Sequence, residues 1–326
     1  MDFWRTQDQE ALQDGIRSFC QGRFPIESLQ PIEATGGRLD RAAWRDLAGV
    51  GVFSLRHDGF STTDSALVFE ELGRALIPGP LTATYLAATH LHTVLAGADS
   101  GERIVGLAQV AEPVTMAEHL IDLDSLLILQ GDSIAVVDPN SVPTQIVERP
   151  LDPLTPVHVI LSTTGGEIVA TGDIVRQWRR EGAVLTAAMQ VGASFAAIDL
   201  AVEYAKGREQ FGRPIGTFQA VKHMAADMLV KAEVARAATY AAAVNLDGNG
   251  DDDLDRAVSV AKMLAGDAAL FCGKIGIQIH GGMGYSRELP IERYYRDSRI
   301  NRIFEGTSEI QNGIIAREVL KKNGVL

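Results

Sequence analysis

Residues 204–228 read YAKGREQFGRPIGTFQAVKHMAADM. The run opens in helical text, breaks between Gly207 and Gly216, and returns to helical text near Gln219. Such a stretch reads as two helices joined by a bend that carries Arg208, Gln210 and Phe211. Upstream of the bend, Leu185, Met189, Phe195, Ile198, Val202 and Ala205 recur at near-helical steps. Downstream, Val221, Met224, Met228, Ala232, Ala235 and Ala242 form a second stripe. A third runs through Leu254, Val258, Ala261, Leu264, Ala268 and Phe271, and a last helix carries Ile310, Ile314, Arg317 and Leu320. Four helices of this kind predict a bundle, and the many alanines allow close approach.

Working back towards the start, the pattern changes. From about 104 to 175 short β-rich runs replace the helical spacing. SLLILQGDSIAVVD reads as two strands around a turn at Gln130-Gly131-Asp132-Ser133, with PVHVILS and EIVAT as further strands. Four or five strands at most are expected in this small β module. Before it, residues 1–103 read as helical. TQDQEALQDGIRSFCQGRF offers Thr6 as a cap with Leu12, Ile16 and Phe19 behind it, and SALVFEELGRALI stops at the breaker PGP. The expected order is an N-terminal helical domain (1–103), a reduced middle β domain (104–175) and a C-terminal four-helix bundle (176–326), mostly α overall.

The chain has 326 residues, 46% of them apolar, and a formal charge of −12. An acidic surface argues against general binding to nucleic acid or anionic membranes. Cys20 and Cys272 lie far apart in no paired motif, so neither a disulfide framework nor a cysteine zinc site is expected. The polar, acidic N-terminal text has no leader pattern, and no uncharged apolar run is expected to span a bilayer. A cytoplasmic protein is the expectation.

Among candidate sites, NLDGNGDDDLDRA has the early spacing of a calcium loop at Asp247, Asn249 and Asp251. Asp252 takes the place of the required glycine and Val258 that of the closing glutamate, so the reading is an acidic interhelical loop. His90 and His92 cannot face one way on a helix, which argues against a metal site. RIFEGTSEIQ (302–311) is more pointed. Ser308 and Gln311 have capping-box spacing, so a helix start is expected there. Glu305 then stands just outside a helix N-terminus, beside Gly306, which permits an unusual turn. The bland reading is a partner for the helix dipole. Arg208 near glycines, and Gln278 before the pair Gly281-Gly282, suit a pyrophosphate. A glycine pair is usually just a helix ending, and ERYYRDSR is usually a solvated face.

These stretches together, with FEELGRALIPGPL and IQIHGGMGYSRELPIERYYRDSRI, resemble the acyl-CoA dehydrogenase family. The resemblance implies FAD-dependent α,β-dehydrogenation of an acyl-CoA thioester. Glu305 matches the family's catalytic base. Thr307 matches a flavin-contacting position. Arg208, Phe211, Gln278 and Gly282, with Gln210 and Gln219 beside them, match positions that hold the ADP part of an FAD bound mainly to a neighbouring subunit. The alternative base position of some members falls at Gly182. Ala183 replaces an arginine that often contacts CoA phosphates, for which Arg179 or Arg180 could substitute.

The middle departs from the family pattern. Glu112-Pro113 is present, but the glycine-serine loop and tryptophan segment that line the flavin are not. Short chains of this type resemble one partner of the heterotetrameric acyl-CoA dehydrogenases of actinobacterial steroid catabolism. The resemblance therefore implies work beside a full-length sister chain, most simply as α2β2, with electron-transfer flavoprotein as a suggested acceptor. The alternative is a non-catalytic subunit that completes the partner's FAD site.

Overall fold

The computed structural model describes residues 5–111, 113–163, 165–248 and 253–323. Ten α-helices occur among them: α1 (Gln7–Arg23), α2 (Leu29–Ala34), α3 (Arg41–Gly49), α4 (Thr62–Arg74), α5 (Leu81–His90), α6 (Asp173–Gly207), α7 (Gln219–Leu246), α8 (Leu254–His280), α9 (Ile291–Asn301) and α10 (Ser308–Lys322). The strands are β1 (Val105–Gln109), β2 (Thr115–Glu118), β3 (Ser125–Gln130), β4 (Ser133–Val137), β5 (Thr144–Ile146), β6 (Val157–Ile160), β7 (Glu167–Thr171), β8 (Glu209–Gln210) and β9 (Arg213–Pro214). The expected fold class, mostly α with a small β region, is what the structure has.

The residues group into two compact units. The first is the described part of Met1–Ile26, Thr62–Leu76 and Ala183–Leu326, and the second is Glu27–Ser61 with Ile77–Gly182. In the first unit, small residues set the packing. Ala187 and Val191 on α6, Ala235 on α7, and Ala265 and Ala268 on α8 form one buried cluster, with Phe195 and Leu264 against it. A Cβ added at Gly192 would lie 1.8 Å from the Glu70 carbonyl oxygen, and one at Gly73 would lie 2.1 Å from that of Met189. α4 and α6 therefore touch backbone to backbone, which only glycine allows. Three of the four expected stripes are at least partly buried along most of their length. The stripe of α10 is not: Gln311 is its one buried residue, and Ile310 and Leu320 are 47% and 39% exposed.

α1 starts as expected at the Thr6 cap, completed as a capping box by Gln9. Its buried face is Gln13, Ile16 and Cys20. Gln13 is buried because its amide donates to Glu71 of α4 at 2.8 Å, and Arg17 reaches the same carboxylate at 2.7 Å. Asp247, the first residue of the calcium-loop pattern, instead accepts from the N–H groups of Thr62 (2.7 Å) and Thr63 (3.0 Å) at the start of α4. Asn249, Asp251 and Asp252 lie outside the described residues, and so does Glu112.

The second unit has seven strands, not four or five. Four of them, β3, β4, β6 and β7, lie where strands were expected, and β1, β2 and short β5 were passed over. One sheet has the order β1-β3-β4-β7 and the other β2-β6-β5. β3 and β4 form the expected hairpin, with Gln130 opposite Ser133 and Gly131 at φ 56° in the turn. The first sheet is tied to α5 by Thr84, whose hydroxyl bonds both the N–H and the carbonyl of Val105. α3 packs Trp44 on Phe53, with ring centroids 4.9 Å apart. α6 is long and apolar enough to cross a membrane by length and composition, but its most apolar stretch is mostly buried inside the protein.

Candidate functional site

The turn after α9 is where Glu305 sits. Glu305 takes φ 54° and Gly306 φ 100°, so the chain reverses sharply between α9 and α10. A non-glycine residue in this region costs roughly 1–2 kcal/mol and persists only where its surroundings hold it. Three contacts do so. Gln311, 4% exposed, donates its amide to the Glu305 carbonyl at 3.2 Å. Arg302 donates to Ser308 Oγ at 3.1 Å and pairs with Asp267 of α8 at 3.0 Å. Lys262 of α8, 3% exposed, donates to the carbonyl of Asn301 at the end of α9.

The capping box expected at Ser308 and Gln311 is absent. Thr307, extended at φ −63° and ψ 160°, is the cap, and its hydroxyl accepts from the Ile310 N–H at 3.4 Å. Ser308 Oγ and the Gln311 amide serve the arginine and the Glu305 carbonyl instead. The result is a half-exposed carboxylate on a fixed backbone, one residue pair before a helix N-terminus that favours negative charge.

The other named residues form a separate group. β8 and β9 make a hairpin directly after α6, with Phe211 (φ 54°, 93% exposed) and Gly212 (φ 76°) at its tip. Arg208, Gln210 and Gln219 are exposed there. Tyr204 near the end of α6 stacks on His280 at the end of α8, with ring centroids 4.3 Å apart. That stack brings the hairpin to the end of α8 that carries Gln278 and Gly282, both exposed. Gly281 closes α8 with φ 59°, so the pair is also a helix ending. The structure thus gathers Arg208, Gln210, Phe211, Gln219, Gln278 and Gly282 at one end of the bundle and leaves Glu305 and Thr307 elsewhere. The step along α8 from Lys262 to His280 is about 27 Å at the rise of an α-helix.

Sequence reasoning missed three things. Lys262 stands four residues after Val258 and three before Ala265, inside the buried stripe, and that register was a readable signal. α9 is not a solvated face: Arg293, Tyr294, Arg296 and Ser298 are buried, and Arg296 pairs with Glu292 at 2.6 Å. Beside buried Gly182, Glu181 is a buried carboxylate, bonded to His90 Nε2 at 3.0 Å. His92 instead stands edge-on to His57 at 5.0 Å. Arg179 donates to the Gly131 carbonyl.

Residues 178–320 match the family model for the acyl-CoA dehydrogenase C-terminal domain. These residues form an acyl-CoA dehydrogenase C-terminal domain. Over 134 residues the chain is 41% identical to the probable acyl-CoA dehydrogenase FadE25 of Mycobacterium tuberculosis, a match covering 41% of this chain and 34% of that protein. The chain thus matches about a third of that relative's length. The fold as a whole is similar to that in the ChsE4-ChsE5 complex from Mycobacterium tuberculosis, with a TM-score of 0.82 at 22% identity over 98% of this chain and 99% of that one. It is similar also to PigA with FAD and proline, at a TM-score of 0.80 and 22% identity over the full length of both chains. FAD is the cofactor of acyl-CoA dehydrogenases. The donor set at the hairpin end fits a dinucleotide's diphosphate and ribose. It offers a guanidinium with no carboxylate partner among the described residues, three side-chain amides, and at Gly282 a backbone with open space around it.

Proposed function

We propose that this chain is one subunit of an FAD-dependent acyl-CoA dehydrogenase that oxidises the α,β bond of a bulky acyl-CoA thioester, a steroid side chain being the first choice. Glu305 is the base. An α-C–H is a weak acid, so its removal needs a carboxylate fixed within reach and a polarised thioester carbonyl. The observation that carries the reading is the Glu305 turn, whose left-handed backbone is held by Gln311, Arg302 and Lys262. Thr307 lies on the same turn, at the flavin-contacting position.

When bound, FAD supplies the hydride acceptor. Arg208 and the amides of Gln210, Gln219 and Gln278 would hold the diphosphate and ADP part, with Phe211 and Gly282 beside them. Their distance from Glu305 along the bundle supports a cofactor shared with a neighbouring chain. That neighbour is a full-length dehydrogenase, most simply in an α2β2 assembly in the cytoplasm, with electron-transfer flavoprotein as acceptor. The boundaries near residues 103 and 175 mark the three functional modules in this reading.

A second reading has its own observation. Every residue of the hairpin group is exposed, so the group can complete a partner's site whether or not Glu305 works. Adding acyl-CoA to the co-purified assembly and following flavin absorbance separates the two. Bleaching that needs the Glu305 carboxylate supports the first reading. Bleaching unchanged in Glu305→Gln leaves the second.

A further inference from the structure

Lys262 is an ammonium in the middle of a buried helix face. It donates a hydrogen bond to a neutral carbonyl, that of Asn301. Burying a charge on such terms is costly unless an anion compensates it. The turn that begins at this carbonyl carries two charged groups: Glu305, whose charge favours the ammonium, and Arg302, whose charge opposes it. Arg302 is turned to Asp267 and Ser308. On the α6 side the neighbour of Arg302 and Gly266 is Gln190, an amide without charge, fully buried and with neither polar atom hydrogen-bonded. Glu305 is therefore the anion that answers Lys262.

We propose that Lys262 is a positioning residue for Glu305, drawing on the carboxylate by its charge while it pins the last carbonyl of α9. The role rests on Glu305 being the base, but the pairing itself does not. Burial pushes the Lys262 ammonium down to about 7, against the pull of Glu305 upwards. A lysine that only closed the end of α9 would stabilise the turn without sensing the charge at 305.

Two measurements test this. The first is a pH titration of the full chain labelled with 13C at lysine Cε, read by NMR, with Lys262→Arg identifying the signal. One lysine should titrate near neutral pH, and in Glu305→Gln its midpoint should fall by about one pH unit or more. This readout needs neither flavin nor substrate. The second is stopped-flow flavin bleaching of the FAD-loaded assembly. Lys262→Met should slow bleaching about tenfold or more, with flavin content and the acyl-CoA concentration for half-maximal rate unchanged, and Lys262→Arg should restore most of the rate. A midpoint that ignores the change at 305 overturns the pairing. A shifted midpoint with wild-type bleaching in Lys262→Met overturns the positioning role alone. Wild-type bleaching in Glu305→Gln overturns the base, and the NMR result then still reports on the pairing.

Discussion

Glu305 and Phe211 both hold φ at 54°, and each is followed by a glycine at positive φ, yet their surroundings differ completely. Around Glu305, an amide, a guanidinium and an ammonium hold the turn, and a Cβ added at Gly306 would lie 2.4 Å from Gln311 Nε2. Around Phe211 there is little. The ring is 93% exposed, meets Phe218 edge-on at 6.1 Å, and a Cβ at Gly212 would meet nothing within 4 Å. Strain held by neighbours fits a group that must be aimed before its substrate arrives. Strain at an exposed tip fits a group that waits for a second surface.

Substitutions can break or sharpen this contrast. The largest effect should come from the scaffold both regions share. Gly192→Ala forces a methyl into the Glu70 carbonyl, and overpacking against backbone should cost more than about 3 kcal/mol. Thermal unfolding should show a large fall in midpoint, and both base and hairpin functions should be lost together. Gly306→Ala comes next. It combines left-handed strain with a collision at Gln311, for about 2–4 kcal/mol in all. It should slow flavin bleaching at unchanged flavin content. Gln311→Ala removes one clamp and leaves a partly buried carbonyl unpaired, for about 1–3 kcal/mol and a smaller rate loss. Gly212→Ala should be mildest, about 1 kcal/mol of backbone strain alone, with no change in bleaching once flavin is bound. Equal penalties at Gly306 and Gly212 would erase the contrast.

Much of this was legible in the sequence, for identifiable reasons. The β3–β4 hairpin was announced by Gly131-Asp132 between two β-rich runs. Thr6 gave the start of α1. The stripes of α6, α7 and α8 were regular because those helices are packed against others along most of their length. The α10 stripe misled because periodicity reports an apolar face, not what covers it. The turn at Glu305 was legible from Gly306 and the helix start after it. The identity of the cap was not, since Thr307 and Ser308 are equivalent in text and only the Arg302 contact decides between them. Buried polar groups were least legible. The burial of Gln13, Glu71 and Lys262 was not read from the text, and Arg296 read as part of a solvated face, until their partners are seen.

In the proposed reading the Glu305 turn and the hairpin end do separate jobs. Stopped-flow bleaching of the proposed assembly, with bound flavin recorded in the same samples, tests this directly for Glu305→Gln and Arg208→Ala side by side. Glu305→Gln should keep its flavin and bleach slower by about two orders of magnitude or more, the usual loss for a general base. Arg208→Ala should lose flavin, and the fraction that keeps it should bleach at the wild-type rate. Wild-type bleaching in Glu305→Gln, or full flavin with slowed bleaching in Arg208→Ala, would contradict the division of labour.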